Sequence, residues 1–137
     1  MTLRKDLDVA DHYWDHIYIP EKYARVASEL YPIFIAPANV SIVKVEIIPA
    51  RSVTGQNTNT THLNLQNRGT AGTGTAELAA YDLTSGNNLT QSVPKVLYNP
   101  ASPLDVATGV ILAIQCEKVG GGLFVPALFV RTTYKPQ

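Results

Sequence analysis

Between Asn39 and Tyr134 apolar side chains return every second residue in short runs, and no helical pattern alternates with these runs. Gly, Asn, Thr, Ser or Pro closes each run. A chain written this way cannot build helices to cover a parallel sheet. It must bury alternate faces of antiparallel strands against each other. The expected fold is therefore all-β: an antiparallel β-sandwich or jelly-roll-like barrel.

The runs can be placed. Val43, Val45 and Ile47 share one parity, with Lys44 and Glu46 on the other. Val40 and Ile42 fall on the parity opposite to Val43, which predicts a bulge or a change of sheet near Ile42. Leu63 and Leu65 point inward, with His62 toward solvent. Thr75 to Leu83 reads as a strand, although its alanines also suit a helix. Val110, Leu112, Ile114 and Cys116 share one face of the most apolar strand. Strands are expected over Thr90–Tyr98 and Leu123–Tyr134, where Pro94 and Pro126 argue for edges or bulges. Asn67–Gly74 is a loop, and Thr84–Asn88 and Val119–Gly122 read as hairpin connections. Ahead of this body, residues 31–137, lies a charged, aromatic leader, residues 1–30. Within the leader, residues 21–30 can form one or two helical turns after Pro20, through Ala24, Ala27 and Leu30. His16–Ile19 can instead form a short strand.

At 137 residues the chain is expected to be one domain with a core large enough to need no disulfide or metal. Eleven basic and eleven acidic side chains cancel, which removes any steering toward nucleic acid or an anionic membrane. Only 16% of residues are charged, against about a quarter in an ordinary soluble domain. A low-charge surface rich in Thr and Asn suits a subunit that packs against neighbours. No run approaches the roughly 18 apolar residues of a membrane span. Met1–Ala10 lacks the apolar stretch of a secretory signal, so synthesis in a cytoplasm is expected. Cys116 is the sole cysteine and reads as a small buried apolar residue.

Reactive constellations are not legible. His12 and His16 have metal-ligand spacing for a helix, but Tyr13 and Trp14 between them read as packing residues. No G-x-S-x-G is present, and Ser52, Ser85, Ser92 and Ser102 occupy turns or strand ends. Glu46, Glu77 and Glu117 fall on outward strand positions, and Asp82 and Asp105 at strand ends. The glycine-rich Asn67–Gly74 loop lacks the lysine of a phosphate cradle. Asn39, Asn59 and Asn88 begin glycosylation sequons, without a secretory signal to accompany them. Tyr81, Tyr98 and Tyr134 are too scattered to form a sugar platform. The expectation is a protein with no catalytic residues, no cofactor and no bound metal, which works by contact along its outside.

The succession Ala36-Pro37-Ala38-Asn39-Val40, then Val43-x-Val45-x-Ile47, Val53-Thr54-Gly55-x-Asn57-Thr58-Asn59, Leu63-x-Leu65-x-Asn67-x-Gly69 and Gly72-Thr73-Gly74-Thr75 resembles small β-rich head proteins of tailed phages. Leu104-Asp105-Val106-Ala107-x-Gly109-Val110-x-Leu112, Val119-Gly120-x-Gly122 and a last strand ending at Tyr134 extend the resemblance. The family is that of head decoration, or capsid-cementing, proteins. The resemblance implies a homotrimeric jelly roll on the capsid exterior that clamps neighbouring major capsid protein subunits. The leader would then be an extended N-terminal arm. Its interface residues would be Tyr13, Trp14, Ile17 and Tyr18, which are of the types that anchor interfaces. Two other readings compete. One is a trimeric receptor- or carbohydrate-binding tip or fibre module of a virion. The other is a cupin-like or isomerase-like enzyme, which needs inward histidines and carboxylates where this chain has Val, Leu and Ile.

Overall fold

The computed structural model describes residues 12–21 and 27–137. Among the described residues nine strands follow in order: β1 (Tyr13–Ile19), β2 (Glu29–Ile35), β3 (Val40–Pro49), β4 (Thr60–Asn67), β5 (Ala76–Asp82), β6 (Lys95–Tyr98), β7 (Leu104–Val106), β8 (Ile111–Val119) and β9 (Leu128–Pro136). They form two antiparallel sheets. The first runs β1-β9-β3-β6, with β7 also paired to β3, and the second runs β2-β8-β4-β5.

The pairings are nested. β4 pairs with β5, β3 with β6 and β7, β2 with β8, and β1 with β9. This is a ribbon folded double on itself. Wrapping the ribbon around a core brings β9 beside β3 and β8 beside β4. That topology is a jelly roll, as the alternating pattern predicted.

Alternation supplies the core. Ile42, Val45 and Ile47 of β3, Leu63 and Leu65 of β4, Leu112, Ile114 and Cys116 of β8, and Leu128 and Val130 of β9 are almost completely buried. The parity change in β3 is a bulge: the register with β9 shifts between Ile42 and Lys44, which leaves Val43 as the extra residue. Thr132 interrupts the apolar series of β9. It is buried, and its hydroxyl has no hydrogen-bond partner. Thr132→Val keeps the shape and removes the unpaired group. It is expected to raise stability by about 1 kcal/mol in urea unfolding, and a loss of stability would show that the hydroxyl has a partner.

Several expectations are corrected. The boundary between a 1–30 leader and a 31–137 body does not hold, because β1 and the start of β2 are sandwich strands. Ile19 reaches the core from β1 and is almost completely buried. The helix expected over residues 21–30 falls partly on residues 22–26, which lie outside the described residues, while Glu29 and Leu30 open β2. Thr84–Asn88 and Val119–Gly122 are not hairpins. Each lies in a connection between sheets, β5 to β6 and β8 to β9. β6 and β9 begin only after Pro94 and Pro126, residues that cannot donate to a ladder. Glu46, expected in solvent, is only 4% exposed.

One end of the sandwich is tied by asparagines from two connections, β3 to β4 and β5 to β6, which also reach the β8 to β9 connection. Asn88 Oδ1 accepts from the Gly55 N–H at 2.9 Å, Asn57 Oδ1 from Ser85 N–H at 2.9 Å, and Asn59 Oδ1 from Gly121 N–H at 2.8 Å. A bridge between Val53 and Leu89 joins the same connections. These loops are fastened to both sheets, so the sandwich closes at this end.

Candidate interaction surface

Exposed large apolar side chains are not spread evenly. Of the seven among the described residues, Trp14, Ile17 and Tyr18 lie on β1, and Leu30 and Ile35 on β2. β1 is the edge of the first sheet and β2 the edge of the second. Five of the seven therefore flank one open side of the jelly roll, which makes that side the candidate interaction surface.

Strand alternation divides the four interface residues expected from the sequence. Tyr13, Ile17 and Ile19 lie opposite Tyr134, Val130 and Leu128 of β9, on the parity that faces the second sheet. Trp14 and Tyr18 share the opposite parity with His16 and point outward. The four residues thus serve two surfaces. On the outer side, Tyr18 meets Phe129 edge-on at 5.6 Å between ring centroids, and His16 lies 5.2 Å from the same ring. On the inner side, Tyr13 rests against Tyr134, ring centroids 5.8 Å apart. Ile17 lines a groove of about 410 Å³ between β1 and β2, together with Asp15, His16, Ile33, Phe34 and Ile35.

The outer face beside the aromatic row carries an ion pair. Arg131 Nε donates to Glu46 Oε1 at 2.7 Å, its Nη2 lies 2.5 Å from the same oxygen, and Lys44 Nζ stands 3.7 Å away. Beyond the end of β1, Glu21 pairs with Arg51, and the Arg51 guanidinium lies 4.8 Å above the Phe124 ring. This contact fastens the chain after β1 to the connection after β3.

The second sheet carries a polar cluster that residue spacing alone did not disclose. His62 of β4 is in register with Asp82 of β5 and Glu117 of β8. Its Nδ1 lies 3.4 Å from Asp82 and 3.5 Å from Glu117. Asn64 donates to Glu117 at 3.0 Å and to Gln115 at 3.1 Å, and Gln66 donates to Gln115 at 3.3 Å. The amides of β4 thus bond to Gln115 and Glu117 of β8, while Asp82 Oδ1 of β5 is buried without a hydrogen-bond partner and has His62 as its neighbouring charge. Among the described residues no group of three or more His, Cys, Asp or Glu side chains is suited to a metal ion. His12 and His16 run along an extended chain rather than a helix, which separates them by about 13 Å. Among the described residues no helix is long and apolar enough to cross a membrane.

No protein-family model matches the chain, and no curated protein does. Among solved structures, a chain from "Structure of infectious bursal disease virus Gx strain" aligns with 93% of this chain at 12% identity and a TM-score of 0.38. The alignment spans 32% of that chain's length. A likeness at this level leaves the role of the protein to be argued from its own surface.

Proposed function

We propose that this protein is a virion structural protein that acts by surface contact. In its finer form, it is a decoration, or cementing, protein on the outside of an icosahedral phage head, stabilising contacts between major capsid protein subunits. The observation that carries the reading is the concentration of exposed aromatic and aliphatic side chains on one open side of a sandwich whose interior is packed with aliphatics. Jelly rolls serve capsids, lectins and cupins alike, so the fold alone does not choose among them. The interior supports a role in contact. Jelly-roll enzymes of the cupin kind bring ligands to inward strand positions, and here those positions hold Ile42, Ile47, Leu65, Leu112 and Ile114. A non-enzymatic role follows as part of the proposal. Low charge supports it, because burying a large face then strips water from few ions. The resemblance in the turn and strand motifs supplies the finer statement, including homotrimers on the capsid exterior.

Part of the proposed arm, residues 1–11, lies outside the described residues. Deleting residues 1–20 does not isolate an arm, since it also removes β1 and takes Ile19 from the core. The direct test is to mix the intact protein with expanded empty heads and measure co-sedimentation and copies per head. Saturable binding at hundreds of copies, with heads more resistant to heat, is the expected result. No binding to heads, or a few copies per particle with specific hits on a glycan array, would replace this reading with that of a receptor-binding tip.

A further inference from the structure

The groove between β1 and β2 sets one carboxylate in an otherwise largely apolar lining. Ile17, Ile33, Phe34, Ile35 and Ile111 line a space of about 410 Å³, and Asp15 stands at its β1 side. That size suits a small molecule or an inserted side chain. Ile17 is 40% exposed and Ile35 60%, so the apolar wall is open to a partner. Asp15 lies opposite Thr132 of β9, on the strand parity shared by Ile17 and Ile19 that faces the second sheet. Its side chain is exposed, and among the described residues it makes no hydrogen bond and no ion pair. The basic side chains closest in register are engaged elsewhere: Arg131 and Lys44 stand with Glu46 on the outer face. The open groove leaves Asp15 its water. An occupant that covers the groove removes that water, and an aliphatic or acidic one leaves a carboxylate covered and unpaired. The occupant must therefore bring a cation together with apolar surface.

We propose that the groove receives an arginine side chain, flanked by aliphatic residues, from the capsid subunit that this side of the sandwich contacts. The inference rests on the decoration reading and names the chemistry of its contact. The methylene stem of the arginine lies over Ile17 and Ile35, and its guanidinium meets Asp15. Asp15 and Ile17 are two residues apart on one strand face, about 7 Å, a distance that an extended arginine stem covers. The planar fork then donates two parallel hydrogen bonds to the carboxylate. Lysine fits less well. Its ammonium is more strongly hydrated, offers no fork, and is depleted at interface cores where arginine is enriched.

The probe is the capped peptide acetyl-Leu-Arg-Leu-amide, titrated into the intact protein beside its citrulline counterpart, which keeps the shape of arginine and lacks the charge. Shifts of the Ile17 and Ile35 methyl resonances read binding. The arginine peptide is expected to bind about fivefold more tightly than the citrulline one, the size of an exposed charge pair. Asp15→Asn is expected to erase that preference. Ile35→Ser, at an exposed position, is expected to weaken both peptides alike. On expanded empty heads, Asp15→Asn is expected to raise the concentration for half-occupancy by a similar factor. Absence of methyl shifts with either peptide overturns the inference, and so does an arginine preference that survives Asp15→Asn. If the carboxylate serves only to guard the sheet edge, Asp15→Asn self-associates and the two peptides bind the parent alike, which also overturns it. Heads that bind the parent and Asp15→Asn equally overturn this contact and leave the decoration reading standing. Heads that bind neither, with the arginine preference intact, remove the decoration reading and leave the groove chemistry in place.

Discussion

Gly55→Ala is expected to lower stability by at least about 3 kcal/mol, which for a domain of this size is a fall of roughly 10 °C or more in Tm. Gly55 is buried in the connection between β3 and β4. An alanine Cβ there would overlap the carbonyl oxygens of both Thr84 and Asn87 and stand 2.9 Å from the Thr84 carbonyl carbon. The obstruction is backbone, so no rotamer change relieves it. That backbone is itself held: Asn87 N–H donates to Thr84 O at 2.9 Å, and the Asn87 amide donates to Asp82 O at 3.0 Å. Relief requires parting the two connections, which also breaks the 2.9 Å bond from Gly55 N–H to Asn88. Gly86 provides the contrast on the same turn. Its φ is +91°, but nothing lies within 4 Å of an added Cβ. Gly86→Ala should therefore cost only the local left-handed strain, about 1 kcal/mol. Urea unfolding of both variants checks the pair. Equal losses would mean that the connections are not packed as closely as this geometry requires.

What the sequence disclosed and what it hid divide along a physical line. A strand with one face in the core writes its orientation in its own residues. Leu63 and Leu65, or Leu112, Ile114 and Cys116, could therefore be assigned inward, and the parity change at Ile42 located the bulge in β3. β1 could not be read as clearly. As an edge strand with an exposed outer side, it carries large apolar residues on both parities, Trp14 and Tyr18 on one, Ile17 and Ile19 on the other. Residues 13–18 therefore resembled an interface arm rather than half of a core strand. Turn chemistry misled in a different way. Gly, Asn and Ser dictate how tightly the chain reverses, not which sheet receives the next strand, so two intersheet connections read as hairpins. The His62 cluster depends on register alone. Asp82 and Glu117 reach His62 only because β4 lies between β5 and β8. Of the residues the sequence singled out in β1, Trp14, Ile17 and Tyr18 are exposed and Tyr13 is half-buried, and the neighbouring exposure of Leu30 and Ile35 appeared only once β2 was placed at the adjoining edge.

Glu46 shows the same dependence on distant sequence and carries the second large effect. Its parity matches Lys44, which reads as a solvated face, yet its side chain is only 5% exposed. Arg131 makes the burial tolerable from 85 residues away, through register pairing of β3 with β9. Removing one partner and removing both should differ sharply. Arg131→Met leaves a buried carboxylate with only the Lys44 ammonium, 3.7 Å away, to offset its lost hydration. A wholly buried pair broken in this way loses about 3–5 kcal/mol. The Arg131 side chain is 38% exposed, so solvent screens part of that, and the expected cost is about 2–3 kcal/mol. Glu46→Met with Arg131→Met removes the stranded charge and packs methionine against Val96 and the Phe129 row. The double variant is expected within about 1 kcal/mol of the parent. A double-mutant cycle in urea reads the difference directly. If the double variant loses as much as Arg131→Met alone, the pair contributes net stability rather than offsetting its own desolvation. If it recovers, the pair is retained at some cost, and its place in register with His16 of β1 gives that cost a reason: it keeps charge beside an otherwise aromatic outer face and limits where other chains can adhere.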